Sequence, residues 1–224
     1  MPIIKKYNQD FFKNWSSDMA YVLGFLYADG NIVATKRGTH FIALHIADEE
    51  LLVEIRRVCE SAHKISRRSS ASGNVFRFQI GSKVWFEDLC ALGLTPSKSG
   101  RMRLPQIPNI YQGDFVRGYF DGDGNVWMGE AHKQRHTKHI LLQVSFTSIS
   151  KEFLFDLHKL LHNSGVVGGS LHTSRLRNFS RLSFASRDAL TIYKIMYNRL
   201  HKLHLQRKKL VFEKFGNCGG SSTG

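Results

Sequence analysis

The sequence is poor in cysteine and has no long apolar run. Its 224 residues include three cysteines, Cys59, Cys90 and Cys218, in no CxxC spacing. A sparse, odd set of cysteines argues against a disulfide framework and favours a reducing compartment. No stretch approaches the roughly 20 apolar residues that a membrane span requires, and the first residues lack an apolar signal segment. We therefore expect an intracellular protein, in the cytoplasm or an organelle matrix, that is neither secreted nor membrane-bound.

Acidic residues are scarce as well. The chain has 18 Asp and Glu against 32 Lys and Arg, which gives a formal net charge of +14. So large a positive excess favours a polyanionic partner, of which nucleic acid is the commonest. Charge alone also allows a basic protein without such a partner. Hydrophobic residues make up 42% of the chain, enough for a core in one large domain or two small ones.

The stretch GYFDGDGNVW, which begins at Gly118, looks like the start of a calcium-binding loop. Such a loop needs glycine at its sixth position and glutamate at its twelfth. Counted from Asp121, these positions hold Val126 and His132. The calcium-loop interpretation therefore fails.

The same stretch is one copy of an internal repeat. The segment VLGFLYADGNIV (22–33) matches VRGYFDGDGNVW (116–127), and Asp29 aligns with Asp123. Each motif is followed by strand-like alternation, a helical pattern, two further alternating segments and another helix. The repeat predicts a pseudo-twofold molecule in which each half runs helix, two strands, helix, two strands, helix.

The halves are predicted at residues 1–104 and 114–215. Pro105 and Pro108 mark the segment 105–113 as an extended linker. Residues 216–224 are rich in glycine and serine, which predicts a flexible tail.

Small residues in each motif predict a close contact between the halves. Gly24 and Ala28 are four residues apart, as are Gly118 and Gly122, so each helix carries a small-residue strip on one face. If the two helices pair along these strips, Asp29 and Asp123 lie side by side. Two close carboxylates repel each other, and a divalent cation such as Mg²⁺, which prefers oxygen ligands, removes that penalty.

Each motif helix also carries residues typical of helix ends. Ser17 or Asp18 is expected to cap the first helix, and Asp114 the second. Gly30 and Gly124 are expected to end them.

At these residues the chain resembles the LAGLIDADG homing endonucleases in their single-chain, two-motif form. The family's nonapeptide maps onto VLGFLYADG (22–30) and VRGYFDGDG (116–124), and the resemblance extends roughly from Trp15 to Phe215. It implies an α+β fold of two pseudo-twofold-related αββαββα units, each with a four-stranded antiparallel sheet that forms half of a DNA-binding saddle. It implies a monomer without a protein partner that cuts both strands of a long double-stranded DNA site and leaves short 3′ overhangs.

By this resemblance, the last aspartate of each motif, Asp29 and Asp123, coordinates the catalytic metal. The backbone carbonyls of Ala28 and Gly122 assist. The expected cofactor is Mg²⁺, for which Mn²⁺ can substitute. Such ions help activate water and stabilise the phosphate during phosphodiester hydrolysis.

After the last helix of each half, similar enzymes carry a basic residue that reaches the active-site solvent and can stabilise the transition state. These positions fall on Lys98 and Lys208, which are therefore catalytic candidates. Arg207 is a rival to Lys208, and either lysine can instead contact phosphate alone. A water-ordering position, often glutamine in the family, falls on Asp48 and Ser148. Asp48 can alternatively join the metal shell or cap the helix that follows it, and Ser148 and Ser150 share this ambiguity.

Three residues within the motifs depart from the family pattern or have other expected roles. Tyr27 is expected to face away from the metal. Arg117 is expected to pair with an acid or to reach the flank of the DNA. Asp121 is expected either to support the metal ligands without binding the metal or to be structural.

Polar residues that alternate with apolar ones along the strands are candidate DNA contacts. Arginine suits guanine and glutamine suits adenine, although each can instead hold a phosphate. Basic loops after each motif extend the set. The candidates are the strand residues Arg77, Gln79, Arg175, Arg177, Arg181 and Ser183 and the loop residues Lys36, Arg37, Lys133, Arg135 and Lys138.

Two other functions fit the same fold. One is a DNA-binding regulator that has lost cleavage, and the other is an intron RNA maturase. Retention of both Asp29 and Asp123 opposes the regulator, since binding alone does not require paired acids. Maturase activity is compatible with cleavage.

Overall fold

The computed structural model describes residues 5–70, 73–96, 100, 102–131, 139–174, 178–199 and 201–218. Within these residues the chain forms two units that follow one another in sequence, and each begins with a helix that ends in a motif aspartate. The elements of the first unit are α1 (Ser17–Asp29), β1 (Gly30–Ala34), β2 (His40–Ile46), α2 (Glu49–Val58), β3 (Ile65–Ser70), β4 (Gly73–Gly81) and α3 (Lys83–Ala91).

The second unit repeats this order and adds a helix at its end. A short 3₁₀ helix (Asn109–Tyr111) precedes it. Its elements are α4 (Gln112–Asp123), β5 (Gly124–Ala131), β6 (His139–Ser148), α5 (Lys151–Asn163), β7 (Ser170–Thr173), β8 (Ser180–Ala185), α6 (Ser186–Met196) and α7 (Gln206–Cys218). Helix α7 includes the first three residues of the predicted tail, 216–218.

Each unit contains one four-stranded antiparallel sheet. The strand orders are β1-β2-β4-β3 and β5-β6-β8-β7, so the two sheets share one topology. The predicted α+β fold of two αββαββα units is therefore confirmed.

One face of each sheet is covered by helices and the other carries polar side chains. Along β4, the side chains of Phe76, Phe78 and Ile80 are buried, whereas Arg77 between them is exposed. Helix α2 packs against β4 and α3 against β2, and α5 and α6 cover the second sheet in the same way. We call the face opposite these helices the outer face of the sheet.

Helices α1 and α4 meet along their glycines at the centre of the molecule. A Cβ atom at Gly118 would collide with the backbone oxygen of Tyr21, and one at Gly24 would collide with that of Phe115. At Gly122 the added atom would meet the Cβ of Ala28. The backbones therefore approach closely because these positions carry little or no side chain, as the repeated spacing predicts.

The helix ends differ in part from those predicted. Gly30 and Gly124 end α1 and α4 as expected, each donating its N–H to a carbonyl of the last turn. Ser16, and neither Ser17 nor Asp18, caps α1 by accepting a 3.1 Å hydrogen bond from the Met19 N–H.

Asp114 was also misassigned as a helix cap. It lies inside the first turn of α4, where its carboxylate pairs with Arg117 at 2.9 Å. No helix among the described residues is long and apolar enough to cross a membrane.

Candidate active site

The two motif aspartates lie at the same end of the helix pair. Asp29 is the last residue of α1 and Asp123 the last of α4. Oδ2 of Asp29 lies 3.4 Å from the point that a Cβ on Gly122 would occupy, so the end of α1 touches the end of α4. Burial raises the pKa of the Tyr119 hydroxyl, and the carboxylates of Asp123 and Asp29 raise it further. Both acids therefore lie near this hydroxyl.

A cavity of about 430 Å³ opens beside Asp29. It lies between the end of α1, the end of β2 and the start of α7, so residues from both units form it. The residues that line it are Phe25, Asp29, His45, Ile46, Ala47, Asp48, Asp121, Gly122, Leu205 and Arg207.

Asp121 supports the end of α4 from inside. Its side chain is buried, and Oδ2 accepts hydrogen bonds from the Tyr21 hydroxyl at 2.7 Å and from the Leu205 N–H at 2.9 Å. Burial raises the pKa of the Asp121 carboxyl, and these two hydrogen bonds oppose that rise. Asp121 therefore joins α1, α4 and the start of α7, which agrees with the structural role expected from the sequence.

Lys208 is oriented differently from what the sequence suggested. Its ammonium donates to the carbonyls of Phe120 at 2.6 Å, Asp121 at 2.8 Å and Gly124 at 2.6 Å. Only 7% of the residue is exposed, and burial lowers its pKa to about 8 against the raising effect of Asp121. The neighbouring Arg207 is exposed and lines the cavity. Lys98, the candidate of the first half, lies outside the described residues.

The two candidate water-ordering residues have different surroundings. Asp48 caps α2 by accepting a 3.1 Å hydrogen bond from the Leu51 N–H, and it also lines the cavity. Ser148, at the end of β6, is buried and accepts a hydrogen bond from the Ser150 N–H. The capping alternative for Asp48 is therefore confirmed.

Tyr27 and Arg117 both point into the protein. The Tyr27 hydroxyl donates to the carbonyl of Leu92 at 2.6 Å, which is away from the acids, as expected. Arg117 is buried and donates to Asp114 and to the carbonyls of Leu203 and Met196. Of its two expected roles, pairing with an acid is confirmed, and its burial is incompatible with a place on the DNA flank.

Four predicted DNA contacts lie on the outer faces of the sheets. Arg77 and Arg181 are exposed, whereas Gln79 and Ser183 are half-buried. In each sheet, the arginine lies in the row of paired residues next to the row that contains the first residue of the unit's first strand, β1 or β5. The loop residues Lys36 and Arg37 are exposed in the turn between β1 and β2. The other predicted contacts, Lys133, Arg135, Lys138, Arg175 and Arg177, lie outside the described residues.

The structure adds histidines that the sequence reasoning missed. His45 pairs with Arg77 across β2 and β4, and His172 pairs with Arg181 across β7 and β8. Burial, with Arg77 nearby, lowers the pKa of His45. With Arg68 and two other residues, His45 and Arg77 line a second cavity of about 420 Å³ on the outer face. The alternation of FIALHIA was the signal for His45, since Ala43 and His45 face opposite to Ile42 and Leu44.

Comparisons with known proteins agree with this geometry. Residues 111–199 match the LAGLIDADG-like domain family. An uncharacterized protein of Methanocaldococcus jannaschii is 22% identical over 209 residues, which cover 88% of this chain and 72% of that protein. A probable translation initiation factor IF-2 of Thermococcus kodakarensis is 38% identical over 74 residues, which cover 31% of this chain and only 6% of that protein.

Several solved structures share the whole architecture. The I-LtrWI LAGLIDADG homing endonuclease bound to target DNA has a TM-score of 0.61 and 14% identity, covering 94% of this chain and 92% of that chain. I-DmoI in complex with DNA and Mn has a TM-score of 0.57 and 16% identity, covering 84% and 100%. The meganuclease I-SmaMI bound to DNA has a TM-score of 0.60 and 12% identity, covering 88% of each.

The chain therefore shares the two-unit fold of these LAGLIDADG homing endonuclease structures, and residues 111–199 match the LAGLIDADG-like domain family.

Proposed function

We propose that the protein is a site-specific endonuclease that cuts both strands of double-stranded DNA with divalent metal ions. The carrying observation is that Asp29 and Asp123 are the last residues of the paired helices α1 and α4, that the end of α1 touches the end of α4, and that Asp29 lines a cavity there. The related structures named above were solved with DNA, and one of them with Mn. The net charge of +14 supports an anionic partner.

The donor set suits a hard cation. Asp29 and Asp123 offer carboxylate oxygens, and the carbonyls of Ala28 and Gly122 are next to them in the chain. All are oxygen ligands, which Mg²⁺ and Mn²⁺ prefer, and a cation would relieve the repulsion between the acids. When bound there, the metal would supply Lewis-acid stabilisation of the phosphate and a more acidic water.

The protein's own residues would orient the substrate around these acids. Arg207 lines the same cavity as Asp29, and we propose that it neutralises charge on the phosphate. Asp48 lines the same cavity with its carboxylate already engaged in capping α2, which leaves its second oxygen to accept from water. Ser148 is the weaker candidate for ordering water because it is buried.

The outer faces would hold the duplex. Arg77 and Arg181 occupy corresponding rungs of the two sheets, so the two halves present similar groups to the two sides of a site. Each arginine also has a histidine as a cross-strand neighbour, His45 beside Arg77 and His172 beside Arg181. We propose phosphate or base-edge contacts for Arg77, Gln79, Arg181 and Ser183, with Lys36 and Arg37 further out along the site.

Further parts of the proposal rest on the resemblance alone. These are the short 3′ overhangs, the preference for Mg²⁺, action as a monomer inside the cell, and the division at the 105–113 linker. The alternative functions are those of a regulator that binds DNA without cutting it and of an intron RNA maturase with the same fold.

The test is cleavage of a randomised duplex library with Mg²⁺ by the parent, Asp29→Asn and Asp123→Asn. We expect the parent to cut at a defined sequence, and each variant to lose at least about a hundredfold in rate because a metal ligand is weakened. Asp156→Asn is a matched control, since that carboxylate pairs with Arg103 away from the motif helices.

The outcomes separate the alternatives. If both motif variants cut as fast as the parent, the assignment of the acids is wrong. If the parent binds a specific duplex and cuts none, the regulator is favoured. If it binds a structured intron RNA more tightly than any duplex, the maturase is favoured.

A further inference from the structure

Lys208 makes a set of contacts that leaves it no hydrogen-bond donor for a substrate. An ammonium group has three N–H donors. In Lys208 they meet three acceptors, the backbone carbonyls of Phe120, Asp121 and Gly124, at 2.6 to 2.8 Å. The ammonium also lies 5.0 Å from the centre of the Phe120 ring. The group is buried and saturated, so a phosphate in the cavity would have to break existing bonds to reach it.

The three acceptors lie on both sides of Asp123 in the chain. Phe120 and Asp121 belong to the last turn of α4, and Gly124 is the residue after Asp123. The Phe120 carbonyl also accepts the N–H of Gly124, and a cation at this end of the helix is favoured by the helix dipole. Lys208 therefore closes the end of α4 around the residue that carries the acid.

Arg207, the residue before Lys208, faces in a different direction. Consecutive residues of a helix point about 100° apart, so Arg207 and Lys208 of α7 cannot both face the cavity. Arg207 is exposed and lines the cavity with Asp29, whereas Lys208 points into the protein.

We propose that Lys208 is a positioning residue, which fixes the end of α4 and thereby the place of the Asp123 carboxylate, while Arg207 is the cation that faces the phosphate. This inference rests on the proposed function as far as metal and phosphate are concerned. The holding of α4 can be tested without any activity.

The first test is hydrogen exchange of the full chain at the segment 120–126. Lys208→Met keeps the length of the side chain and removes its three donors. We expect amide exchange in this segment to become at least about tenfold faster, the equivalent of losing one hydrogen bond to a charged group. Lys209→Met is the matched control, since Lys209 pairs with Glu213 on the same helix, and it should leave the segment unchanged.

The second test is cleavage as a function of Mn²⁺ concentration, with direct Mn²⁺ binding followed by electron paramagnetic resonance. Lys208→Met should raise the half-saturating Mn²⁺ concentration about tenfold, and the rate at saturating metal should largely recover. Arg207→Gln should lower the rate at saturating metal with little change in half-saturation.

Unchanged exchange at 120–126 in Lys208→Met would overturn the proposal. So would a lost saturating rate with unaltered metal dependence, because that pattern belongs to a group that acts on the phosphate. If the methionine variant does not fold, Lys208→Gln, which keeps two N–H donors, takes its place, with a smaller increase in exchange expected. A parent that neither cuts DNA nor binds Mn²⁺ refutes the proposed function, while the exchange test still decides whether Lys208 holds α4.

Discussion

The hydroxyl of Tyr21 donates a 2.7 Å hydrogen bond to Oδ2 of Asp121, and this buried bond joins the two halves of the chain. The backbone oxygen of the same tyrosine faces Gly118. One residue of α1 thus contacts α4 both through its main chain and through its side chain, and the partner of that side chain also holds the start of α7.

Tyr21→Phe should therefore destabilise the protein more than a comparable change within one half. The substitution removes a donor from a buried carboxylate, for which we expect a loss of about 1.5 to 3 kcal/mol. Tyr7→Phe is the control, because the Tyr7 hydroxyl donates to a neutral acceptor, Ser82 Oγ, at 2.8 Å, worth about 1 kcal/mol. Urea unfolding of both variants measures the difference. Equal losses would show that the bond between the halves has no special weight.

Gly118→Ala should be severely destabilising. The added methyl group would collide with the Tyr21 backbone oxygen, which cannot move without parting α1 from α4, and we expect a loss of about 3 kcal/mol or more. Gly216→Ala on α7 is the matched control, since a Cβ there meets no atom within 4 Å, and alanine is favoured over glycine in a helix by about 1 kcal/mol. Thermal unfolding should show a lower midpoint for the first variant only. A Gly118→Ala protein as stable as the parent would contradict the close helix contact.

His201 should make the protein sensitive to mild acid. Its side chain is only 7% exposed, and burial, with Arg117, lowers its pKa to about 4 from the ordinary value of 6.5, although Asp114 opposes this. Between pH 6.5 and 4 the unfolded chain binds a proton that the folded chain does not, so stability falls as the pH drops through this window.

His201→Gln removes this titration and should flatten the decline in urea-unfolding free energy between pH 6.5 and 4. His172→Gln, which alters an exposed histidine on β7, should leave the decline as in the parent. The same slope in His201→Gln and the parent would exclude His201 as its source.

Arg77→Gln and Arg181→Gln should each weaken DNA binding by about 1 to 3 kcal/mol. If an arginine contacts a phosphate, its loss lowers the slope of log affinity against log salt by roughly 0.9. If it reads a base, the slope changes less and one position of the site becomes permissive. Arg103→Gln is the control. It removes the same charge from a residue that pairs with Asp156 on α5, away from the outer faces. If both variants bind DNA as tightly as the control variant, neither arginine is part of the DNA interface.

Much of the fold was readable from the repeat. The central contact was predictable because each motif places small residues four apart, Gly24 with Ala28 and Gly118 with Gly122. Such a strip on both copies of one helix indicates that the two helices pack closely together. Roles that depend on the exact residue at which a helix begins were harder to predict. Ser16 and Ser17 are both good caps in sequence, and only the helix start decides between them.

The same limit applies to the basic residues of α7. Arg207 and Lys208 are neighbours in sequence, and the direction of each depends on where α7 begins, which the basic stretch LHLQRKKL does not mark. His45 was missed because its importance comes from its cross-strand partner Arg77, 32 residues away in the chain, and strand register is not visible in one strand alone.

The alternation along β4 has a consequence for how such a protein can change. Phe76, Phe78 and Ile80 hold the core, while Arg77 and Gln79 lie on the opposite side of the same strand. If the proposed function holds, mutations that redirect the protein to a new DNA target can therefore accumulate on one side of the strand while the buried side is unchanged. A lineage of such proteins can drift in preference while its architecture stays fixed.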